Sequence, residues 1–160
     1  MFVSNTSTLI LLAKIGLLEK FLDNSPKVII PEEVQSESMG TSFDALLIEK
    51  EIENKRILIG KSDKKKAAVL MAQFHLDIGE AAAFTLFDGE KHSGILTDDG
   101  ELIKLCRFED VSFICAMAIV VRMKEKNLIS KQEAFDKLDK LFTIGRYSKV
   151  IYEHFKGGVK

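Results

Sequence analysis

Acidic side chains are the residues of this chain best suited to chemistry. Asp98 and Asp99 are adjacent and follow a short apolar stretch, while Glu37 and Glu80 each fall within the first turns of a predicted helix. Carboxylates that are crowded together repel one another and raise each other's pKa, so a divalent cation is their natural partner. Oxygen ligands that leave bound waters in place suit Mg²⁺ or Mn²⁺. The acids therefore favour metal-assisted chemistry, provided that the fold brings them together.

Each of these acids also has a structural interpretation that needs no chemistry. Asp98 or Asp99 is suited to cap a helix that begins near Glu101, because aspartate is among the best N-cap residues. Glu80, in the first turn of its helix, is favoured by the helix dipole. Glu37, in contrast, lies three residues after Val34 and shares a helix side with this predicted core residue, which adds to the functional interpretation. Only the order and spacing of the acids along the chain strengthen the functional interpretation.

The elements that must position these residues alternate between short strands and helices. Short, mostly apolar stretches near Val3, Val28–Ile30, Ile57–Ile59 and Ile95–Thr97 predict strands, and the segments between them have helical periodicity. Strands that are apolar on both faces and separated by helices predict a largely parallel sheet that is covered on each side. Ligands bind beyond the carboxyl ends of such strands. That rule selects three segments, which are Ser4–Thr6, Gly60–Ser62 and Asp98–Asp99.

The helices predicted between the strands have approximate bounds. Leu9 to Leu18 reads as one helix, Pro31 opens another, and Gly79 to Glu90 reads as a third. Ser130 and Glu133 have the spacing of a capping box. A buried helix follows Val111, with room for a short strand at its start.

Length and charge limit the class of protein. A chain of 160 residues fits one domain, which we expect over residues 1–155, with a frayed tail at 156–160. No secretory signal and no bilayer-spanning stretch are apparent, which predicts a cytoplasmic protein without a membrane partner. A net charge of −1 argues against binding nucleic acid by bulk charge. The one basic cluster is a solvated helix start or an RNA contact, and it consists of Lys61, Lys64, Lys65 and Lys66.

Two other functional classes are disfavoured by spacing. Gly60–Ser62 imitates the end of a phosphate-binding loop, but Lys55 stands where that motif requires its first glycine. The two cysteines, Cys106 and Cys115, lack the spacing of a zinc site or of a redox pair. We therefore expect neither a P-loop nucleoside triphosphatase nor a thiol-based centre.

Four short motifs in order resemble the PIN-domain family, specifically its VapC-like toxin group. The similarity continues into the C-terminal helices and covers nearly the whole chain. The segments that carry it are Ser4–Ser7 with Leu9–Gly16, Ile30–Pro31 with Val34 and Glu37, Ile78–Ala81, Leu96–Asp99, and Lys124–Ser130.

The resemblance implies a three-layer α/β/α sandwich with a mostly parallel central sheet and Mg²⁺- or Mn²⁺-dependent cleavage of RNA. Asn5, Glu37, Glu80 and Asp99 would then line the pocket, with Asp98 beside it. The catalytic residues would be Glu37, Glu80 and Asp99, and the metal ligands Asn5, Glu80, Asp98 and Asp99. The group also implies a toxin that is restrained by a small antitoxin protein. PIN domains often form homodimers, and the apolar segment Phe113–Met123 is the predicted interface.

Two positions depart from the family pattern. Asn5 stands where aspartate is common, so it is either a neutral ligand or simply the cap of the helix that begins near Thr6. Cys115–Ala116 stands where relatives often have Gly-Thr, and it offers no hydroxyl. A PIN domain that no longer cuts and acts as a protein- or RNA-binding module is therefore the alternative hypothesis.

Overall fold

The computed structural model describes residues 1–160, which fall into two compact units, Met1–Ile114 and Cys115–Lys160. The first unit contains a sheet with helices on both of its faces. Its elements are, in chain order, β1 (Phe2–Ser4), α1 (Thr6–Lys14), α2 (Leu18–Asn24), β2 (Val28–Pro31), α3 (Glu32–Ser38), α4 (Phe43–Glu53), β3 (Ile57–Gly60), α5 (Lys64–Gln73), α6 (Ile78–Leu86), β4 (Gly94–Leu96), α7 (Gly100–Phe108) and β5 (Phe113–Ile114).

The sheet has five parallel strands in the order β3-β2-β1-β4-β5. The central strand is fully covered at Val3, and its neighbours are fully covered at Val28, Ile30, Ile95 and Leu96. These residues explain the continuous apolar strand pattern, because both faces of the sheet are packed. The predicted three-layer α/β/α class is thus confirmed, and the sheet is parallel throughout. The short strand expected after Val111 is β5.

Two predicted helices have different bounds in the structure. The helix expected over Leu9–Leu18 is divided, because Gly16 adopts a φ of 74° between α1 and α2. Glycine adopts this left-handed conformation without a steric penalty, and helices commonly end at such a residue. The helix expected to reach Glu90 ends at Leu86, since Phe87 is extended and Asp88 begins a turn by accepting a hydrogen bond from the Glu90 N–H.

The second unit consists of three helices, α8 (Ala116–Glu125), α9 (Lys131–Ile144) and α10 (Lys149–Gly157), which pack against one another. Ser130 accepts a hydrogen bond from the Glu133 N–H and caps α9. The rings of Phe142 and Tyr152 stack with their centroids 4.5 Å apart and join α9 to α10. Val159, beyond α10, is buried. No helix of the protein is both long enough and apolar enough to cross a membrane.

Candidate active site

The strand order places the predicted acidic segments at one crevice of the sheet. The chain builds β1, β2 and β3 outward in one direction and then returns to the other side of β1 as β4. Ligands of open parallel sheets bind at such a switch point, beyond the carboxyl ends of the two strands. Asn5 follows β1 directly, and Asp98 and Asp99 follow β4 after Thr97. These side chains therefore begin on either side of the crevice.

Asn5 and Asp98 are joined by hydroxyl side chains of α1. The Ser7 hydroxyl donates to Asn5 Oδ1 at 2.9 Å and accepts from the Asp98 N–H at 3.0 Å. The Thr8 hydroxyl donates to Asp98 Oδ2 at 2.6 Å. Asn5 is buried and occupies the N-cap position of α1, but its side chain makes no capping hydrogen bond. The interpretation of Asn5 as a helix cap alone is therefore not what the structure shows.

Asp99 and Glu80 are both helix-capping residues and close neighbours. Asp99 is the N-cap of α7, and its Oδ1 accepts from the Leu102 N–H at 2.8 Å. Glu80 forms a reciprocal capping box with Asp77 at the start of α6, with hydrogen bonds of 2.8 and 2.9 Å. The carboxyl groups of Glu80 and Asp99 are also close enough to share a hydrogen bond. The structural and functional interpretations of these acids are thus compatible.

The environment of Glu80 favours its neutral form. The pKa of the Glu80 carboxyl is raised to about 8, and burial is the largest cause. The backbone hydrogen bond at Asp77 opposes the increase, whereas the hydrogen bond with Asp99 and the negative charges of Asp99 and Asp77 contribute to it. The Glu80–Asp99 pair therefore retains a proton at neutral pH, in a position where a cation would serve equally well.

Glu37 approaches the same region from α3. Its Oε2 accepts a hydrogen bond of 2.8 Å from the Thr6 hydroxyl, and its carboxylate also accepts from the Gly79 N–H. A Cβ atom at Gly79 would lie 2.7 Å from Cδ of Glu37, so only glycine permits this approach. Although Glu37 is exposed as a whole, partial burial of its carboxylate raises its pKa, the Thr6 hydrogen bond lowers it and the charge of Asp77 raises it again, for a net increase.

Comparison with known proteins settles the family. The family model DUF3368, described as a PIN domain, matches residues 1–156. This chain belongs to the PIN-domain family. No curated protein and no solved structure gives a significant match. Membership indicates a nuclease, with RNA as the class of substrate, and PIN domains generally use divalent metal ions.

The donor atoms of this PIN domain suit such an ion, although they do not form a closed cage. No three acidic, histidine or cysteine side chains converge to hold a metal ion. Mg²⁺, however, is usually held by one or two carboxylates while it keeps several waters. The Glu80–Asp99 pair supplies two adjacent carboxyl groups, and without a cation between them Glu80 favours its protonated form. The residues present therefore fit a partly hydrated Mg²⁺ or Mn²⁺.

Two residues near the acids were not selected as site residues from the sequence. Asp77 acts electrostatically on both Glu37 and Glu80, and Gly79 provides the backbone contact for Glu37. The spacing of Asp77 and Glu80 is that of a capping box and could have been recognised. No local signal places Asp77 or Gly79 beside Glu37, because that contact depends on how α3 packs against α6.

The lysine candidates for nucleic-acid binding lie beyond β3. Lys64 and Lys65 are exposed in the first turn of α5, whose N-cap is Asp63. Lys61 is also exposed, but it lines a cavity together with residues that follow α6. Asp63, the N-cap residue of α5, lines the same cavity, so the exposed helix start lies beside it.

Proposed function

We propose that this PIN domain is an endoribonuclease that depends on Mg²⁺ or Mn²⁺, with Glu37, Glu80 and Asp99 as its catalytic residues. The observation that carries the proposal is the contact between the Glu80 and Asp99 carboxyl groups, near the sheet's switch point, with the pKa of Glu80 raised to about 8. Paired acids with such a shift are typical of functional sites.

The roles of the residues follow from their surroundings. Glu80 and Asp99 would hold the ion, with the neutral oxygen of Asn5 and the carboxylate of Asp98 as the remaining metal-ligand candidates. When bound, the ion would supply positive charge and Lewis acidity toward a phosphodiester oxygen. Glu37 is oriented by Thr6 and Gly79, and its raised pKa suits a group that accepts a proton from the attacking water.

The test is cleavage of single-stranded RNA by the purified protein with Mn²⁺, with Mg²⁺ and with EDTA. Glu80→Gln and Asp99→Asn preserve the capping hydrogen bonds, because glutamine and asparagine also serve at these positions. We expect each variant to reduce cleavage by about 10–100-fold or more, since 10–100-fold is the usual effect of losing a residue that supports a metal ion. Glu133→Gln is the matched control, since Glu133 has the corresponding position in α9. Cleavage that persists in EDTA, or in both site variants, would contradict the proposal.

We also propose that the protein is the toxin of a toxin–antitoxin pair and is inhibited by a small antitoxin protein. The support is the likeness of its motifs to the VapC-like group. Expression of the wild-type chain should arrest growth, and coexpression of a small protein encoded beside it should relieve the arrest. Glu80→Gln should not arrest growth. Arrest by Glu80→Gln at equal expression would separate toxicity from the proposed nuclease.

A homodimer that uses part of Phe113–Met123 is the proposed assembly. Within this segment Met117, Ile119 and Val120 are buried in the chain itself, while Val121 is half-buried and Arg122 is exposed. Only the half-buried and exposed positions are available to a second copy. Sedimentation velocity should show a dimer at high micromolar concentration, and a monomer there would contradict the assembly.

A further inference from the structure

A cavity with a volume of about 570 Å³ lies beside the last turn of α6. Its wall combines apolar, aromatic and cationic side chains, with Leu86 and Phe87 on one side and the loop after β3 on the other. The size falls within the range of sites that bind small ligands or single groups of larger ones. None of the acidic candidates Glu37, Glu80 or Asp99 belongs to its lining, so it is separate from the site described above.

We infer that this cavity is a subsite for a nucleotide of single-stranded RNA next to the position of cleavage. The inference rests on the proposed function for its choice of RNA as the ligand. Its structural basis is the juxtaposition of Lys61 and Lys91 with the rings of Phe87 and His92 around one concavity.

Lysine side chains are gathered in and beside this cavity, in a chain whose net charge is −1. Lys61 and Lys91 line it, and the next turn of chain adds Lys64, Lys65 and Lys66, all exposed. Asp63 and Asp88 also line the cavity, so the charges of its lining are balanced, and Lys91 Nζ lies 3.5 Å from Asp88 Oδ2. Asp63 accepts from the Lys66 N–H at 3.0 Å, and Asp88 accepts from the Glu90 N–H at 2.9 Å. Lys64, Lys65 and Lys66 therefore supply the excess of positive charge beside the cavity, which suits the phosphates of a nucleic acid.

The aromatic residues provide a surface for a base. The Phe87 and His92 rings are both half-buried, with their centroids 6.0 Å apart and an angle of 40° between them. His92 Nδ1 accepts a hydrogen bond of 2.9 Å from the Asp88 N–H, so the neutral ring carries its proton at Nε2. A base–aromatic contact beside lysines is the usual combination in proteins that bind single strands.

The cavity is connected to the proposed catalytic acids through two elements. Glu80 lies in the first turn of α6 and Leu86 at its end, a separation of about 9 Å along the helix axis. From the β3 side, the Ser62 hydroxyl donates to Glu33 Oε1 at 2.9 Å, and Glu33 is one helical turn before Glu37 in α3. A strand held in the cavity would therefore have an adjacent nucleotide near the acids.

The test measures RNA binding without cleavage. A short fluorescein-labelled single-stranded RNA of mixed sequence is titrated with the full chain in EDTA, at several salt concentrations, and followed by fluorescence anisotropy. Lys61→Ala and Lys91→Ala should each weaken binding by about two- to fivefold, as for one exposed charge pair. Each variant should also reduce the magnitude of the slope of log binding constant against log salt concentration by about 0.7, which is the value for one phosphate of a single strand.

Phe87→Leu separates stacking from charge. It should weaken binding by about fivefold or more, because a leucine cannot stack on a base. The salt dependence of binding should not change, because the substitution alters no charge. Lys50→Ala is the control, since Lys50 is exposed on α4 and does not line the cavity. Thermal melting of every variant checks that the fold is retained.

The outcomes distinguish this inference from the proposed nuclease. Weaker binding of all three cavity variants, with Lys50→Ala like wild type, supports the subsite. Cavity variants that bind like wild type, or a wild-type protein that binds no RNA, overturn it. If wild type binds through the cavity but does not cleave RNA with Mn²⁺, the subsite stands and the proposed ribonuclease activity fails.

Discussion

Asp99 and Glu80 illustrate how one side chain can serve both fold and site. Asp99 satisfies the Leu102 N–H at the start of α7, and Glu80 completes the capping box of α6. Each carboxylate has two oxygens, and the capping hydrogen bond uses one of them. The capping bonds also fix the orientation of each carboxylate. Substitutions that remove the charge but keep the cap can therefore separate the two roles.

Asn5→Asp is predicted to tighten Mn²⁺ binding on the order of 10-fold or more and to raise RNA cleavage. The new charge would attract a cation in a partly desolvated site, where an opposite charge at contact is worth a few kcal/mol at an effective dielectric near 20. Ser7 could still donate to the aspartate, so the local hydrogen bonds are retained. The metal-free protein should be slightly less stable, because a buried charge is added near Asp98.

Calorimetric Mn²⁺ titration and thermal melting, with and without the ion, check this prediction. Asn54→Asp is the control for the change in net charge, because Asn54 is exposed at the end of α4. Equal Mn²⁺ affinity of wild type and Asn5→Asp would show that Asn5 is not a ligand. It would leave the Ser7 and Asp98 contacts as the role of this residue.

The stability of the metal-free protein is predicted to depend on pH through Glu80. The folded chain retains the Glu80 proton up to a pKa of about 8, whereas the unfolded chain releases it near 4.5. The stabilisation is therefore complete below pH 4.5 and is lost as the pH rises to about 8. The free energy of unfolding, measured relative to Glu80→Gln, should fall across this interval and then level off. A difference that does not vary with pH would show that Glu80 has the same pKa in the folded and the unfolded chain.

At the scale of elements, the packing of α3 against α6 determines the position of Glu37. Its carboxylate lies against the backbone of Gly79, at the second residue of α6. Gly79 is buried and Glu37 is exposed, so the contact lies between the buried start of α6 and a solvent-exposed residue of α3. The absence of a side chain at Gly79 is therefore a requirement of the site geometry.

Gly79→Ala is predicted to displace the Glu37 carboxylate, because a Cβ atom at this position would lie 2.7 Å from Glu37 Cδ. The free energy of unfolding should change by less than about 1 kcal/mol, since the displaced atoms are the end of an exposed, flexible side chain. Cleavage of RNA should fall, because Glu37 would lose its hydrogen bond with the backbone. Denaturant unfolding and RNA cleavage measure the two effects.

Gly100→Ala is the matched control for Gly79→Ala. Gly100 is the first residue of α7, and a Cβ atom there would meet nothing within 4 Å. Alanine should stabilise this helix by up to about 1 kcal/mol or leave it unchanged. If Gly79→Ala behaved like Gly100→Ala, the proposed constraint on Glu37 would be wrong.

At the scale of the whole molecule, residues 1–155 are predicted to unfold as a single domain. A unit as short as Cys115–Lys160 buries too little surface to be stable alone, so we expect one cooperative transition. The chain supplies a selective probe, because both of its tyrosines, Tyr147 and Tyr152, lie in this unit and it has no tryptophan. Tyrosine fluorescence and far-ultraviolet circular dichroism should give the same melting temperature. Two separate transitions would contradict the prediction.

Local features of this protein were determined by the sequence alone. Short apolar stretches placed the strands β1 to β4, and helical periodicity placed most helices, because these patterns reflect which residues are covered. The positions of Asn5, Asp98 and Asp99 after strands also followed, since the carboxyl end of a strand is a local property. The end of α6 was not predicted from the sequence. The helix stops because Asp88 forms a turn with Glu90 and its N–H donates to His92 Nδ1.

Only the tertiary structure decided which of these positions meet. The order β3-β2-β1-β4-β5 puts β1 beside β4, and no local pattern specifies that pairing. The contacts of Glu80 with Asp99 and of Glu37 with Gly79 each join residues far apart in the chain. The cavity of Lys61 and His92 likewise needs the loops after β3 and α6 to be adjacent. Such contacts arise from packing between elements, whereas periodicity records only which face of each element is buried.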